Sequence, residues 1–540
     1  MLSAPKWFMC FPPGWTLHSG GPHIGLPLLR STAQATGAEV RLRDLNIESA
    51  KELCPKCPVD SVLEACRVGT MAEYNDVHFA AQDLLDDVAR PFGASWDARL
   101  GFTYDDLSPF SSAETIEGAK RESPFTAFYA RRVVPEISSW RPDIIGLGIA
   151  CIQQMVPALQ LARMIRQAGC EALIIAGGNT ISRLADSLAV PRLFDFIDGF
   201  ALYQGEPVVK ALTACAKSNR RSLAGVPDLI WNDGGCIRRN FGPDGIDPDA
   251  CDPPEFDGLP LQDYWGEPYL PLLSSRGCYH GLCSFCAIPL GWGPRGFAGM
   301  RDPELVYADL IGCVEKYGIR NFKFVDEAMP PRTLRLLATR LAEDGVRVQW
   351  EAYTRLEHAW TNTDLAEVAA EGGFCKGYFG VEILDGGSRA VLNKRDSGDA
   401  LGVFRRCRSA GILVHMFSML GYPGTTAVDA QRTIEFALSN SELIDTVDIF
   451  AYGCARGTTQ PKGITVRKDP RLDWAMEFPF ESTDLGVLSS SQVDAMVEFY
   501  EELVFSRCPR LLHPTYRLVS PWRQERLAQR LGAETSCRAN

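Results

Sequence analysis

Two stretches of alternating strand-length and helix-length hydrophobic patterns, interrupted once, leave few folds open to this 540-residue chain. The first stretch opens with "KWFMCF", a strand-length apolar run. "IGLPLLRSTAQATG" then has helical spacing and ends at Gly37, a natural C-cap. "AEVRLRDLN" alternates like a half-buried strand. "DIIGLGIA" and "EALIIAGG" are unbroken apolar runs, as strands buried on both faces require, and the amphipathic "MVPALQLARMIRQAG" separates them. This rhythm predicts an α/β fold whose first domain, 1–240, is a doubly wound parallel sheet. Residues 50–135 break the pattern and read as a helical insertion. Residues 241–268 are dense in Pro, Gly and Asp and read as a linker. The rhythm then resumes over 269–464 with six strand patterns: "YLPLLSS", "NFKFVDE", "VQWEAYT", "GYFGVEI", "ILVHMFSML" and "TVDIFAYG". Six βα units predict a parallel barrel or partial (β/α)6 barrel, with functional residues at the C-terminal strand ends. The segment 465–540 reads as a mainly helical lid, with one strong helix at "SSQVDAMVEFYEELVFSR".

Composition narrows the function classes. The chain is 46% hydrophobic and 23% charged, which supports a large core and excludes general disorder. Its formal charge of −12 disfavours nucleic acid and anionic membranes as partners. No apolar run reaches the length of a membrane span, and the first residues do not have a signal-peptide pattern, so a reducing cytoplasm is the expected location. The 18 cysteines suit that compartment, and most sit in apolar runs where buried thiols are ordinary.

One cysteine triplet stands apart. "SSRGCYHGLCSFCAIP" places Cys278, Cys283 and Cys286 on a loop after the first barrel strand. Three thiolates can hold three irons of a cubane cluster and leave the fourth iron open. A structural zinc site needs four ligands, and His280 inside the loop is the candidate fourth. The loop resembles the signature of the radical S-adenosylmethionine (SAM) superfamily, widened by one residue, with Phe285 as the aromatic before the last cysteine. That resemblance extends over about 265–460 and implies a 4Fe-4S cluster and SAM as cofactors. It implies contacts from Asp326 and Glu327 to the methionine amine, and from Arg355 to its carboxylate. It places Glu382 on the ribose hydroxyls. It also brings Gly421, Tyr422, Pro423 and Gly424 against adenine, where glycine lets backbone approach a flat ring.

The first domain lacks the glycine fingerprints of dinucleotide and P-loop sites. Gly177 and Gly178, followed by Asn179, end one buried strand, and Gly205 and Glu206 follow the next. With Pro12 and Pro13 after the first strand and "DLN" after the second, this part resembles the Rossmann-like cobalamin-binding domain that precedes many radical SAM barrels. The resemblance implies cobalamin across the C-terminal sheet edge. No D-x-H-x-x-G motif is present, and none of His18, His23, His78, His280, His358, His415 or His513 fits one. The expected cofactor is therefore base-off, without a histidine lower ligand. The competing reading is a sheet that kept its core and lost its ligand. Cys54 and Cys57 form a Cys-x-x-Cys in which a proline follows each cysteine, read as incidental thiols.

Together these resemblances imply a cobalamin-dependent radical SAM methyltransferase. A 5′-deoxyadenosyl radical would activate an unactivated carbon of a peptide or small natural-product substrate, and methylcobalamin would supply the methyl group. An external electron donor of flavodoxin or ferredoxin type is expected, and no nucleic acid or membrane partner. The alternatives are a cobalamin-dependent rearrangement, cyclisation or oxidation, a methylthiotransferase, and a non-enzymatic sensor. Tyr452, Cys454 and Arg456, after the sixth strand, either face the substrate or pack.

Overall fold

The computed structural model describes residues 4–512 apart from 18, 59–60, 62–70, 219–221, 244, 266–267, 294–295, 385–389, 395–398 and 485. His18, His513, Cys66, Cys537 and the end of the C-terminal segment therefore lie outside the described residues.

Seven strands build the first sheet: β1 (Lys6–Phe11), β2 (Glu39–Asp44), β3 (Ile144–Gly148), β4 (Leu173–Gly177), β5 (Gly199–Ala201), β6 (Leu229–Asp233) and β7 (Cys236–Arg239). Their order is β2-β1-β3-β4-β5-β6-β7. The first five strands run parallel, and β6 and β7 are added antiparallel. The period of two along β1 explains the two covered faces. Trp7, Met9 and Phe11 pack in one core with α1 (Gly25–Ala35) and α3 (Gly205–Lys217). Phe8 and Cys10 pack in the other with α2 (Met155–Gln167). Strand order reverses between β1 and β3, which opens a crevice at their C-terminal ends, where doubly wound sheets take ligands.

The stretch read as a helical insertion also contains a hairpin, Ala94–Asp97 against Gly101–Tyr104. Its inward Trp96 and Phe102 alternate with outward residues, and Asp97 accepts the turn N–H groups of Arg99 and Leu100. Four residues per strand are too few to stand out in a helix-leaning region.

The second sheet has six parallel strands in chain order: β8 (Leu270–Leu272), β9 (Asn321–Phe324), β10 (Gln349–Thr354), β11 (Phe374–Glu382), β12 (Leu413–Leu420) and β13 (Thr446–Ala451). Strands β8 and β13 are its two edges, so the strand order of a barrel is present without closure. Residues 241–268 are tied to both sheets. Tyr264 donates to Asp44 at 2.7 Å, and Tyr317 of the second domain takes the Phe256 N–H at 2.9 Å.

The described part of the C-terminal segment is mainly helical, but short strand pairs precede its long helix. Ile464–Val466 pairs with Phe480–Ser482, and Cys454–Ala455 with Glu477–Phe478, before α4 (Ser490–Arg507) begins. Pairs this short carry almost no periodicity. What holds them is tertiary: Trp474 is fully buried against the first domain, its indole N–H on the Ser187 carbonyl.

Candidate functional site

The C-terminal edges of the two sheets meet around one cavity of about 850 Å³. That is the upper part of the range for ligand pockets. From the first domain, Gly148, Gly177, Gly178, Asn179, Gly205 and Glu206 line it. From the second come Phe285, Cys286, Glu327, Glu382, Phe417 and Tyr452. Below the strand ends the cavity continues as an apolar slot between the first sheet and its two helices, walled by Trp7, Gly146, Ile175 and Leu212. Gly178, at φ +120°, is required where the chain turns out of β4: a Cβ there would lie 2.3 Å from the Ile149 carbonyl oxygen.

Cys278, Cys283 and Cys286 are each partly exposed on the loop after β8. The loop is pinned from the β11–β12 connection: Ser284 N–H reaches the Leu392 carbonyl at 3.0 Å, and Asn393 donates to the Leu282 carbonyl at 2.8 Å. Burial pushes the Cys283 thiol up to about 11 and the Cys286 thiol up to about 12, and neighbouring loop cysteines add to both shifts. Among the described residues no three Cys, His, Asp or Glu side chains are gathered tightly enough for one metal ion. Ligands of a multi-iron cluster bind separate irons and stand further apart. His280 Nε2 is bonded to the Asn393 carbonyl at 3.0 Å, which turns that nitrogen away from a fourth-ligand role. An all-thiol set of this kind fits a three-thiolate cluster better than zinc.

The other second-domain candidates divide. Glu327 lines the cavity and accepts the Trp292 indole N–H at 3.0 Å; burial pushes its carboxyl up to about 7. Glu382 also lines it, at φ +60° and 2.8 Å from Lys394. Asp326 points elsewhere. Its carboxylate takes the N–H groups of Ser274 and Ser275 and fastens the end of β8. Arg355 is buried 3.7 Å from Glu357 and over the Tyr279 ring, outside the cavity wall. Gly421 to Gly424 are outside it too. Gly421, at φ +80°, gives α4 its seat, since a Cβ there would meet Val493 at 2.4 Å. Tyr422 donates to Ser284 at 2.9 Å and braces the cysteine loop. Gly421→Ala is expected to cost about 3 kcal/mol in urea denaturation, combining a left-handed non-glycine residue with overpacking.

In the first domain, Pro12 and Pro13 are buried and do not line the cavity, and the Pro12 carbonyl accepts from Gln154 at 2.7 Å. The loop they begin instead presents Trp15 and leads to His23 at the wall. The His23 ring stacks on Phe11 with centroids 5.2 Å apart, and its Nδ1 accepts the Gly25 N–H at 3.2 Å. Burial lowers its pKa to about 4, so it is neutral at physiological pH. Glu206 makes a buried ion pair with Arg276 of the second domain at 2.7 Å. Breaking it by Glu206→Gln or Arg276→Met is expected to cost about 3–5 kcal/mol each, with the double variant costing less than their sum in the same denaturation assay. Of the residues after β13, Tyr452 faces the cavity. Arg456 is spent on Ala475, Ser187 and Asp473 and packs.

Sequence reasoning missed Trp15, His23, Arg183, Tyr203, Arg276 and Trp292 at the wall. Position just beyond a strand end was the available signal for Trp15, Tyr203 and Arg276.

No protein-family model and no curated protein sequence matches the chain. Solved structures do. The radical S-adenosylmethionine methyltransferase TsrM from Kitasatospora setae, with cobalamin and a [4Fe-4S] cluster bound, aligns with TM-score 0.60 at 14% identity over 98% of this chain and 100% of that one. TsrM with tryptophan substrate and a SAM analogue aligns with TM-score 0.61 at 14% identity, over 93% and 89%. The cobalamin-dependent S-adenosylmethionine radical enzyme OxsB, with aqua-cobalamin and S-adenosylmethionine bound, aligns with TM-score 0.61 at 12% identity, over 98% and 71%. Among the described residues no helix is long and apolar enough to cross a membrane. Over nearly the whole chain, the two largely parallel sheets share the fold of TsrM and OxsB.

Proposed function

We propose that this protein is a cobalamin-dependent radical SAM enzyme that methylates an unactivated carbon of a peptide or small natural-product substrate. The observation that carries the reading is the single cavity. It joins the switch point of the first sheet to the cysteine loop of the second, so ligands of both domains would share one continuous space. When bound, the cluster would supply an electron to SAM and the corrinoid a methyl group.

The residues have separable tasks. Cys278, Cys283 and Cys286 would hold the cluster, and Phe285 and Cys286 carry that loop to the cavity wall. Glu327, oriented by Trp292, offers an acceptor for an ammonium. Glu382, steadied by Lys394, offers one for a diol. Gly177 and Gly178 leave the edge of β4 open to a broad ligand, and the slot beneath takes an apolar appendage of it, as base-off cobalamin would need. His23 uses Nδ1 as an acceptor, so its neutral ring carries the proton on Nε2 and is a donor there rather than a cobalt ligand. Phe417, Phe450 and Tyr452 make an aromatic wall that excludes water from the reacting carbon. The tryptophan substrate of TsrM suits a wall of that kind.

An electron donor of flavodoxin or ferredoxin type is part of this reading. Anaerobic reconstitution followed by iron and corrinoid analysis tests it: about four irons and one corrinoid per chain are expected, with release of 5′-deoxyadenosine on reduction. A product heavier by one methyl supports methylation. An unmethylated product moves the reaction to rearrangement or oxidation, and absence of both cofactors overturns the reading.

A further inference from the structure

The charges around the cavity do not balance locally. Among the described residues, four glutamates and two arginines line it: Glu206, Glu327, Glu382 and Glu477, with Arg183 and Arg276. Arg276 is committed to Glu206. Among the described residues Arg183 has no carboxylate within ion-pair distance and makes one hydrogen bond, from Nη2 to the Met476 carbonyl at 3.3 Å. Its Nε is buried without a partner. A guanidinium with idle donors in a largely apolar space is costly unless a ligand completes it.

Its position is informative. Arg183 ends the short helix Asn179–Arg183 that leaves Gly178 of the first domain. That helix packs on Ile288–Trp292, the turn that follows the cysteines; a Cβ on Gly291 would come within 2.4 Å of Asn179 Oδ1. The guanidinium therefore stands where the first domain meets the cysteine loop. Burial and the nearby Arg456 lower its pKa, and Glu477 and Cys286 offset part of that shift, which places the guanidinium within electrostatic reach of both.

We propose that Arg183 is a carboxylate anchor, reaching from the first domain to bind a carboxylate-bearing ligand held beside the cysteine loop. Arginine suits this task because its planar fork matches a carboxylate with two parallel hydrogen bonds. Two sources carry that chemistry: the methionine carboxylate of SAM, and the carboxylate of an organic substrate. The assignment rests on the functional reading above. It is an alternative to Arg355, which stands outside the cavity wall on the Cys283 side of the loop.

The test compares anaerobically reconstituted wild type, Arg183→Met and Arg183→Lys by equilibrium dialysis, with iron and corrinoid content as the control for folding. One arm uses SAM and decarboxylated SAM. The other uses L-tryptophan and L-tryptophanamide. Wild type should prefer the carboxylate form by about 10- to 100-fold in one arm. Arg183→Met should lose that preference, and Arg183→Lys should keep part of it. Loss in the first arm assigns the SAM carboxylate; loss only in the second assigns a substrate carboxylate. A wild type without preference in either arm overturns the anchor, as does an Arg183→Met variant that keeps the wild-type preference. A wild type that holds no iron and no SAM sinks the functional reading and this assignment together.

Discussion

Cys283→Ala should leave a folded protein that holds less than about one iron per chain after anaerobic reconstitution and releases no 5′-deoxyadenosine above background. Cys283 sits mid-loop and only partly buried, and the loop's hydrogen bonds come from Ser284, Leu282 and Asn393 rather than from its sulfur. Removing the thiol therefore deletes a ligand without unseating the loop. Corrinoid content should stay close to wild type, because the slot for it lies between the first sheet and α1 and α3, away from this residue. A variant that still cleaved SAM would show that the cysteine loop does not hold the cluster. Loss of corrinoid along with iron would show instead that the two sites fold as one unit.

Gly146→Leu should do the reverse. Gly146 lies in β3 on the wall of the apolar slot, where a Cβ has ordinary room, 3.6 Å from Met9 and 3.7 Å from Trp7. Gly146→Ala is expected to be nearly neutral. A leucine continues past that point into space the ligand would use. Corrinoid affinity should fall by about a hundredfold, which corresponds to roughly 3 kcal/mol of overpacking in the bound state. Iron content and thermal stability should remain near wild type, since the side chain fills empty volume. Unchanged corrinoid retention by absorbance after gel filtration would place the ligand elsewhere in the cavity.

Much of the architecture was legible before any coordinates, for local reasons. A strand buried on both faces must be apolar throughout, so "IIGLG" and "LIIAG" declare themselves. Strands of the second sheet such as "NFKF" and "QWEAYT" instead alternate buried and partly exposed residues and are read from that period of two. The cysteine triplet was legible because ligands on one loop are close in sequence. Gly177, Gly178, Gly205 and Glu206 were found from their place at strand ends, and all four line the cavity.

Other candidates lie off the cavity wall, where residue type gave no hint of direction. Asp326 and Glu327 are adjacent carboxylates at the same strand end. One is spent on the backbone of β8 and the other faces the cavity, because neighbours along an extended chain point to opposite sides. Gly421 follows β12 as expected of a glycine beneath a flat ring, yet it makes room for Val493 of α4, 72 positions later. The hairpins around Trp474 were invisible because their stabilising contacts are with the first domain.

By itself the sequence determined the two parallel sheets, their separation at 241–268, and the three cysteines that can carry a cluster. Each of these rests on periodicity or on spacing within one loop, and needs no knowledge of what lies across the chain. Only the tertiary structure decided that the two sheet edges share one cavity, that Glu206 is closed off by Arg276, and that Arg183 is left with idle donors beside the cysteine loop. The reason is physical: whether a charge is satisfied depends on groups brought within a few ångströms by packing, and those groups lie tens to hundreds of positions away.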